Sequence, residues 1–355
     1  MRRSLIVVFA VAAAAPALAG PLTPPAGPVA PSGPTLTQIE PRIPIGPDTT
    51  PGDADSLFRI TEPGSYYLTG NVTGVSGKAG IEIAASNVTI DLGGFTLAGV
   101  PGSLKGVLTD GPYWGITVTN GAVTSWGNAG VDIGYFTGNR GNRVEGVHAA
   151  SNGGTGIRAG GAGIITGCTA VGNGLNGFEA SGNTALIVDC TASGNQAGGF
   201  NVGQGTRLIS CVAYSNVSMG FRLLAATAEG CEAANNQQDG FILQSGAGAY
   251  RCAARSNLGD GFEAIDDSVI QDCRAASHAS GAGIRVTGGG NRIDGNSIVA
   301  NGTGIAVAAS GNFIVRNTAH SNSTNYSVAG TQTIGPIITT SGNIISTNPW
   351  ANFGF

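Results

Sequence analysis

Asp266 and Asp267 are the only adjacent carboxylates in the chain. Paired carboxyl groups can work a glycosidic bond, one giving a proton while the other stays ionised. Arg292, further along, would neutralise the pair. No histidine stands beside them, and the same residues suit a solvated turn after the stretch GFEA. Asp239 and Asp260 each precede Gly-Phe, one copy of a repeat apart. Stacked copies would bring these carboxylates to ~5 Å, unfavourable unless they are exposed, protonated or bridged by a cation. Calcium, which gathers several oxygen ligands, is the expected ion, with Glu263 and Asp266 close in sequence. Asp-Gly is also good turn chemistry.

The stretch 100–143 offers a different chemistry. Tyr113, Trp114, Trp126, Tyr135 and Phe136 are five of the chain's 22 aromatics. Rings on loops above a rigid strand surface can take the faces of sugars. Arg140, Arg143 and Lys105 stand among them to receive acidic groups. The competing use of Trp114 and Trp126 is to plug wide coils. His278 stands where other copies of the repeat carry asparagine, so its ring nitrogen replaces an amide or shuttles a proton.

These residues must be positioned by a repeat. A glycine followed by apolar-x-apolar recurs about twelve times, with first apolar positions running from Ile81 through Ile157, Phe178, Phe200, Phe221, Phe241 and Phe262 to Tyr326. From Ile157 the step is 20 to 22 residues; before it the step is 24 to 26. The writing has a period of two with glycine and asparagine punctuation, so it predicts short strands and almost no helix. Columns run through the copies: Ile165, Ile187 and Leu208; Cys168 to Cys273, then Asn296 and Asn317; Ala170, Ala192 and Ala213; Asn152 to Asn257, His278, Asn301 and Asn322. Stacked at ~4.8 Å, apolar columns fill the interior and asparagines bond from copy to copy. The six cysteines then form one inward column of small buried thiols standing in for asparagine. Bridging neighbours would need distortion, since disulfides place their β-carbons ~3.5–4.5 Å apart.

The repeat, with SNVTIDLGGFTLAG at 86–99, resembles the pectin-lyase-like superfamily and within it the NosD-like, carbohydrate-binding and sugar-hydrolase repeats. The resemblance implies an all-β fold, a single-stranded right-handed parallel β-helix of about twelve coils and three parallel sheets. Relatives on this scaffold include lyases, hydrolases, tailspikes and adhesins. Calcium-dependent lyases among them use an arginine or lysine as base. Here lysine is limited to Lys78 and Lys105, while Arg158–Glu179 and Glu263–Arg285 read as opposite-charge neighbours on a solvated face. NosD-like proteins are associated with copper; one mature methionine, Met219, and three scattered histidines count against that role.

The remaining sequence sets the boundaries. Residues 1–19 read as a signal peptide: two arginines, an apolar run too short for a span, and Ala17-Leu18-Ala19. Ten of the 16 prolines fall between Pro21 and Pro51, which marks 20–54 as a linker. An N-terminal cap is expected at 55–80, the β-helix at 81–340 and a C-terminal cap at 341–355. Without Arg2 and Arg3, 15 basic residues face 21 acidic ones. No basic patch exists, which argues against nucleic acid, and no later segment suits membrane insertion. The expected protein is secreted, extracellular or periplasmic. It binds a polysaccharide or glycoconjugate or serves as a rigid extracellular element. The alternatives are a polysaccharide lyase or glycoside hydrolase with a non-standard site, and a purely structural adhesin-like rod.

Overall fold

The computed structural model describes residues 40–180, 184–339, 342–344 and 346–355. The expected signal peptide and the linker as far as residue 39 lie outside the described residues. The unit from Arg42 to Phe355 is a stack of coils built from short parallel strands, and no helix occurs among the described residues.

Each coil presents three faces. In one coil the first, second and third faces are Phe178–Ala180, Leu186–Val188 and Thr191–Ser193. The first-face strands make a 13-stranded parallel sheet. Its register places Ile157, Phe178, Phe200, Phe221, Phe241, Phe262 and Ile284 directly over one another. The coil beyond the expected twelve comes from Phe58, which pairs with Ile81; Leu57 stands where later copies have glycine, so the signature was absent. The second and third faces join into one 26-stranded sheet. They merge because Thr117–Thr124 and Arg143–Ala150 stay paired across the corner that divides them elsewhere, although Asn120 and Gly146 bend there in left-handed backbone.

The interior explains the repeated letters. The rings of Phe178, Phe200, Phe221, Phe241 and Phe262 stack 4.6–4.8 Å apart and within 9° of parallel. The glycine before each ring is a packing requirement. A β-carbon on Gly177 would lie 2.8 Å from the Ala192 side chain and 2.9 Å from the Asn195 amide of the next coil. Asn173 shows the ladder. Its backbone N–H and its Nδ2 each donate to Oδ1 of Asn195 at 3.0 Å, and Nδ2 also donates to the Ala149 carbonyl at 3.1 Å. Asn195, Asn216 and Asn236 repeat this set. A buried amide is thus satisfied through its neighbours, where an unpaired one would cost ~1–3 kcal/mol.

The thiols follow the same logic at the corner between the second and third faces. All six are free and buried. The Cys190 S–H reaches the carbonyls of Val188 at 3.3 Å and Ile165 at 3.7 Å. The Cys252 amide donates to Sγ of Cys273 at 3.4 Å. Below Cys273 the column becomes asparagine: the Cys273 amide donates to Asn296 at 2.8 Å, and Asn317 and Asn352 continue it. Each ladder residue from Cys168 to Asn317 follows one in left-handed backbone, glycine at Gly167 and Gly194 but Asp189, Ser210, Arg251 and Ser256 elsewhere. Such non-glycine positions cost energy, so the ladder and the sheets must hold them.

The ends differ from expectation in detail. Ile43–Pro44, inside the expected linker, pairs with Tyr66–Tyr67, and Pro51 bridges Phe58 in antiparallel sense. Residues 55–80, expected as a cap, form a coil in register, with Ser56–Ile60 against Ala79–Ile83 and Gly64–Tyr67 against Val88–Asp91. At the other end Asn352–Gly354 pairs with Thr318–Ala319 and sets Asn352 under Asn317.

His278 interrupts the asparagine ladder. Its Nδ1 meets the Asn257 amide at 3.2 Å, but its buried Nε2 has no partner. Burial pushes its pKa below the ordinary value. A histidine kept neutral by folding contributes fully above its unfolded pKa and loses that contribution as pH falls. His278→Asn is therefore expected to raise stability by about 1 kcal/mol at pH 7.5 and by more at pH 5.5. Asn216→Ala, which strands two buried donors of Asn195, is expected to cost about 3 kcal/mol. Urea unfolding at both pH values checks this; a His278→Asn gain that fails to widen on acidification contradicts the account.

Candidate functional site

Outward side chains of the first face also stack, one per coil. The register sets Arg59 by Glu82, Glu82 by Leu108, Leu108 by Asp132, Asp132 by Arg158, and Arg158 by Glu179. Strand geometry thus makes a charged line of fixed spacing. Asp132 is its centre. Its side chain has no exposed surface, and Oδ2 takes Lys105 at 2.7 Å and Arg158 at 3.3 Å. Its Oδ1 is buried with no partner. Arg158 Nε also bonds Glu179 at 2.8 Å, and Glu179 is held by Asn176 at 2.7 Å.

The Tyr135 ring completes the cluster. Lys105 Nζ lies 4.9 Å and the Arg158 guanidinium 5.8 Å from its centroid, both within cation–π range. Tyr135 is itself 64% exposed. Phe136 meets it edge-on at 5.4 Å. Tyr135 and Phe136 sit on a loop that stacks on the loop carrying Tyr113 and Trp114. Asn139 ties the two, donating to the carbonyls of Gly111 at 3.1 Å and Tyr113 at 2.8 Å. Trp114 and Arg140 are exposed there, and Tyr113 is half-buried against the core.

Beside the cluster lies a cavity of about 320 Å³ lined by Glu82, Lys105, Leu108, Asp55, Ser103 and Asn128 among others. Carboxylate oxygens of Asp53, Asp55 and Glu82 lie within 4.8 Å of one another. Arg59 ties the group together, bonding Asp53 at 3.0 Å, Asp110 at 2.6 Å, and Glu82. Burial raises the Glu82 carboxyl to about 7, although Arg59 pulls the other way. The bond from Ser56 leads the effects that hold Asp53 well below the ordinary carboxylate range.

The sequence model of the family described as "Right handed beta helix region" matches residues 129–257 and 244–354. This chain belongs to that family. No curated protein matches the sequence. Among solved structures, the β-helix is similar to the A-module of the Azotobacter vinelandii mannuronan C-5 epimerase AlgE4, with TM-score 0.60 and 18% identity over 76% of this chain and 91% of the other. It is also similar to the tailspike protein of E. coli bacteriophage HK620, solved with a pentasaccharide: TM-score 0.56 and 11% identity over 82% and 72% of the two chains. A third is the catalytic domain of a GH87 alpha-1,3-glucanase, solved with tetrasaccharides, with TM-score 0.52 and 12% identity over 78% and 64%. At these identities the likeness is one of fold, and the neighbours are proteins that act on or bind polysaccharides.

On this β-helix the expected site residues divide. Tyr113, Trp114, Tyr135, Phe136 and Arg140 come together on the stacked loops. Trp126 does not: it is 1% exposed and its Nε1 donates to the Leu97 carbonyl at 3.0 Å, so its ring is a core plug with no face for a sugar. Asp239 and Asp260 stack as expected. Asp239 Oδ1 accepts the Asp260 amide at 2.6 Å, and Asp260 accepts the Ala282 amide at 2.6 Å and pairs with Arg285. Arg285 thus faces Asp260 more than Glu263. Burial raises the Asp239 carboxyl. Asp266 Oδ1 accepts the Ser245 amide at 3.1 Å. Arg292 does not neutralise the Asp266–Asp267 pair: it bonds Asp294 at 3.0 Å and lies 4.8 Å from the Phe313 ring.

Asp132 and Glu82 were not singled out from sequence. Carrying the column that begins at Arg158 one coil upstream would have found Asp132. Glu82 supplies a pH test. Its pKa is higher folded than unfolded, so its stabilisation is present below pH 4.5 and is lost as pH rises through about 7. Glu82→Gln is expected to gain stability relative to the parent as pH rises from about 4.5, with the gain levelling off above about 7 in a series of thermal melts. A difference that stays flat with pH would remove the raised carboxyl.

Proposed function

We propose that this β-helix is an exported protein that binds an acidic polysaccharide or glycoconjugate along its first face. The supporting observation is the exposed Tyr135 ring held over Lys105 and Arg158, with the buried Asp132 fixing both cations. The ring offers an apolar face to a sugar, and the cations sit where acidic substituents would fall. Trp114 and Arg140 on the stacked loops extend the surface. Export rests on residues 1–19. The neighbours' polysaccharide ligands agree with this class of partner.

A second reading, hydrolysis, is favoured by one observation. Glu82 and Asp53 are close together, yet their surroundings push their pKa values in opposite directions. That is the condition for a carboxyl donor beside a carboxylate.

Calorimetry against a panel of acidic and neutral polysaccharides, with reducing-end and ultraviolet product detection, tests both. Binding to acidic chains should weaken about tenfold or more in Tyr135→Ala, the loss of one well-placed contact of ~1.4 kcal/mol. Binding to neutral chains alone, or undiminished binding by that variant, would reject the first reading. Products that appear with the parent and vanish in Glu82→Gln would establish the second.

A further inference from the structure

The second face carries a cluster that neither reading uses. The Asp294 side chain has no exposed surface, yet two half-exposed arginines reach it. Arg292 gives it Nε at 3.0 Å and Nη2 at 2.5 Å, and Arg316 gives it Nε and Nη2, both at 2.6 Å. One carboxylate thus fixes two guanidinium groups and leaves one positive charge over. Nη1 of each arginine has no partner among the described residues. Asp272, one coil back, bonds Gln271 at 3.2 Å and neither arginine.

Each guanidinium also lies against a ring. Arg292 is 4.8 Å from the centroid of Phe313 and Arg316 is 5.7 Å from that of Trp350, both within cation–π range. The two rings meet edge to face at 6.1 Å. Trp350 is 47% exposed, but its backbone is held. Its N–H donates to Asn348 at 2.8 Å, and its carbonyl accepts the Arg316 amide at 3.4 Å. Gly335 allows this approach, since a β-carbon there would fall 1.8 Å from the Trp350 carbonyl oxygen. The exposed ring and both cations are set in place before a ligand arrives, which lowers the cost of binding one.

We propose that Trp350, Arg316 and Arg292 form a second saccharide site, which takes a sugar bearing a carboxylate or sulfate. The indole receives the apolar face of the sugar. The unused N–H groups of the two arginines receive its acidic oxygens, which the guanidinium fork suits. The parts repeat those at Tyr135: a buried aspartate, two cations upon it and an exposed ring. They come from other residues, in the coils that carry Ile284 and Ile305 on the first face. The class of ligand rests on the reading above; the site itself does not.

The chain has three tryptophans, so an isotope-labelled full chain gives three indole N–H signals, assigned by Trp→Phe variants. Trp114 reports on the stacked loops, Trp350 on the second site and the buried Trp126 on the fold. The probes are an oligogalacturonate, a sulfated oligosaccharide and a neutral oligosaccharide of equal length. The Trp350 signal should move saturably with at least one acidic probe and stay still with the neutral one. Arg316→Gln should weaken that titration about tenfold or more, the loss of one charge-assisted contact. It should leave the Trp114 titration and the Trp126 signal as they were. A Trp350 signal that ignores both acidic probes while Trp114 moves overturns the second site and leaves the first reading standing. Movement at Trp350 with silence at Trp114 supports the second site and counts against the first reading alone. An equal response to the neutral probe, or an undiminished titration in Arg316→Gln, also overturns the second site.

Discussion

Everything in this molecule depends on coils lying in register at one rise. That rise is set by backbone hydrogen bonds between parallel strands. Once fixed, it dictates what side chains can do. A ring must lie flat on the ring below, an amide must find the amide of the next coil, and a charge meets whatever charge its neighbour carries. A single coil could not bury Asn195 or Phe200, because each is satisfied by the copies on both sides. The strained corner residues before the ladders are held by the same register.

The surface chemistry inherits this order. In the interior, repetition makes like stack on like. On the first face it would be costly for charges, and the column from Arg59 to Glu179 mixes signs. Asp132 receives two cations, and Arg158 shares itself between Asp132 and Glu179. Where two acids do stack, at Asp239 and Asp260, backbone amides and Arg285 meet them. The long corner loops of 100–143 then add what strands cannot, rings carried over the edge of the face.

The fold was largely legible because in-register stacking needs the same residue type in every copy. Gly-Phe, Cys/Asn and alanine columns therefore appear in the letters themselves. The missed coil shows the limit: Phe58 lies in register with Ile81, but it is only partly buried and Leu57 stands before it where later copies have glycine. The site was less legible. A tryptophan in a glycine-rich loop reads alike whether its ring points in or out. For Trp126 the clue lay in Gly80 and Gly106, where a β-carbon would meet the indole at 2.9 and 3.0 Å. The burial of Asp132 depends on Lys105 reaching in from another coil. Arg292 was assigned to a distant aspartate pair when a carboxylate two residues away, Asp294, had the stronger hold.

The Asn352–Gly354 strand has one more consequence. It closes the second and third faces with an asparagine that any rung of the ladder would accept, so the terminus carries no information about how many coils precede it. The architecture therefore works as a ruler. Inserting one more 21-residue copy among the regular coils, which repeat every 20 to 22 residues, would shift the far end by a single increment of ~4.8 Å. The Tyr135 loop and both terminal strands would be left as they are.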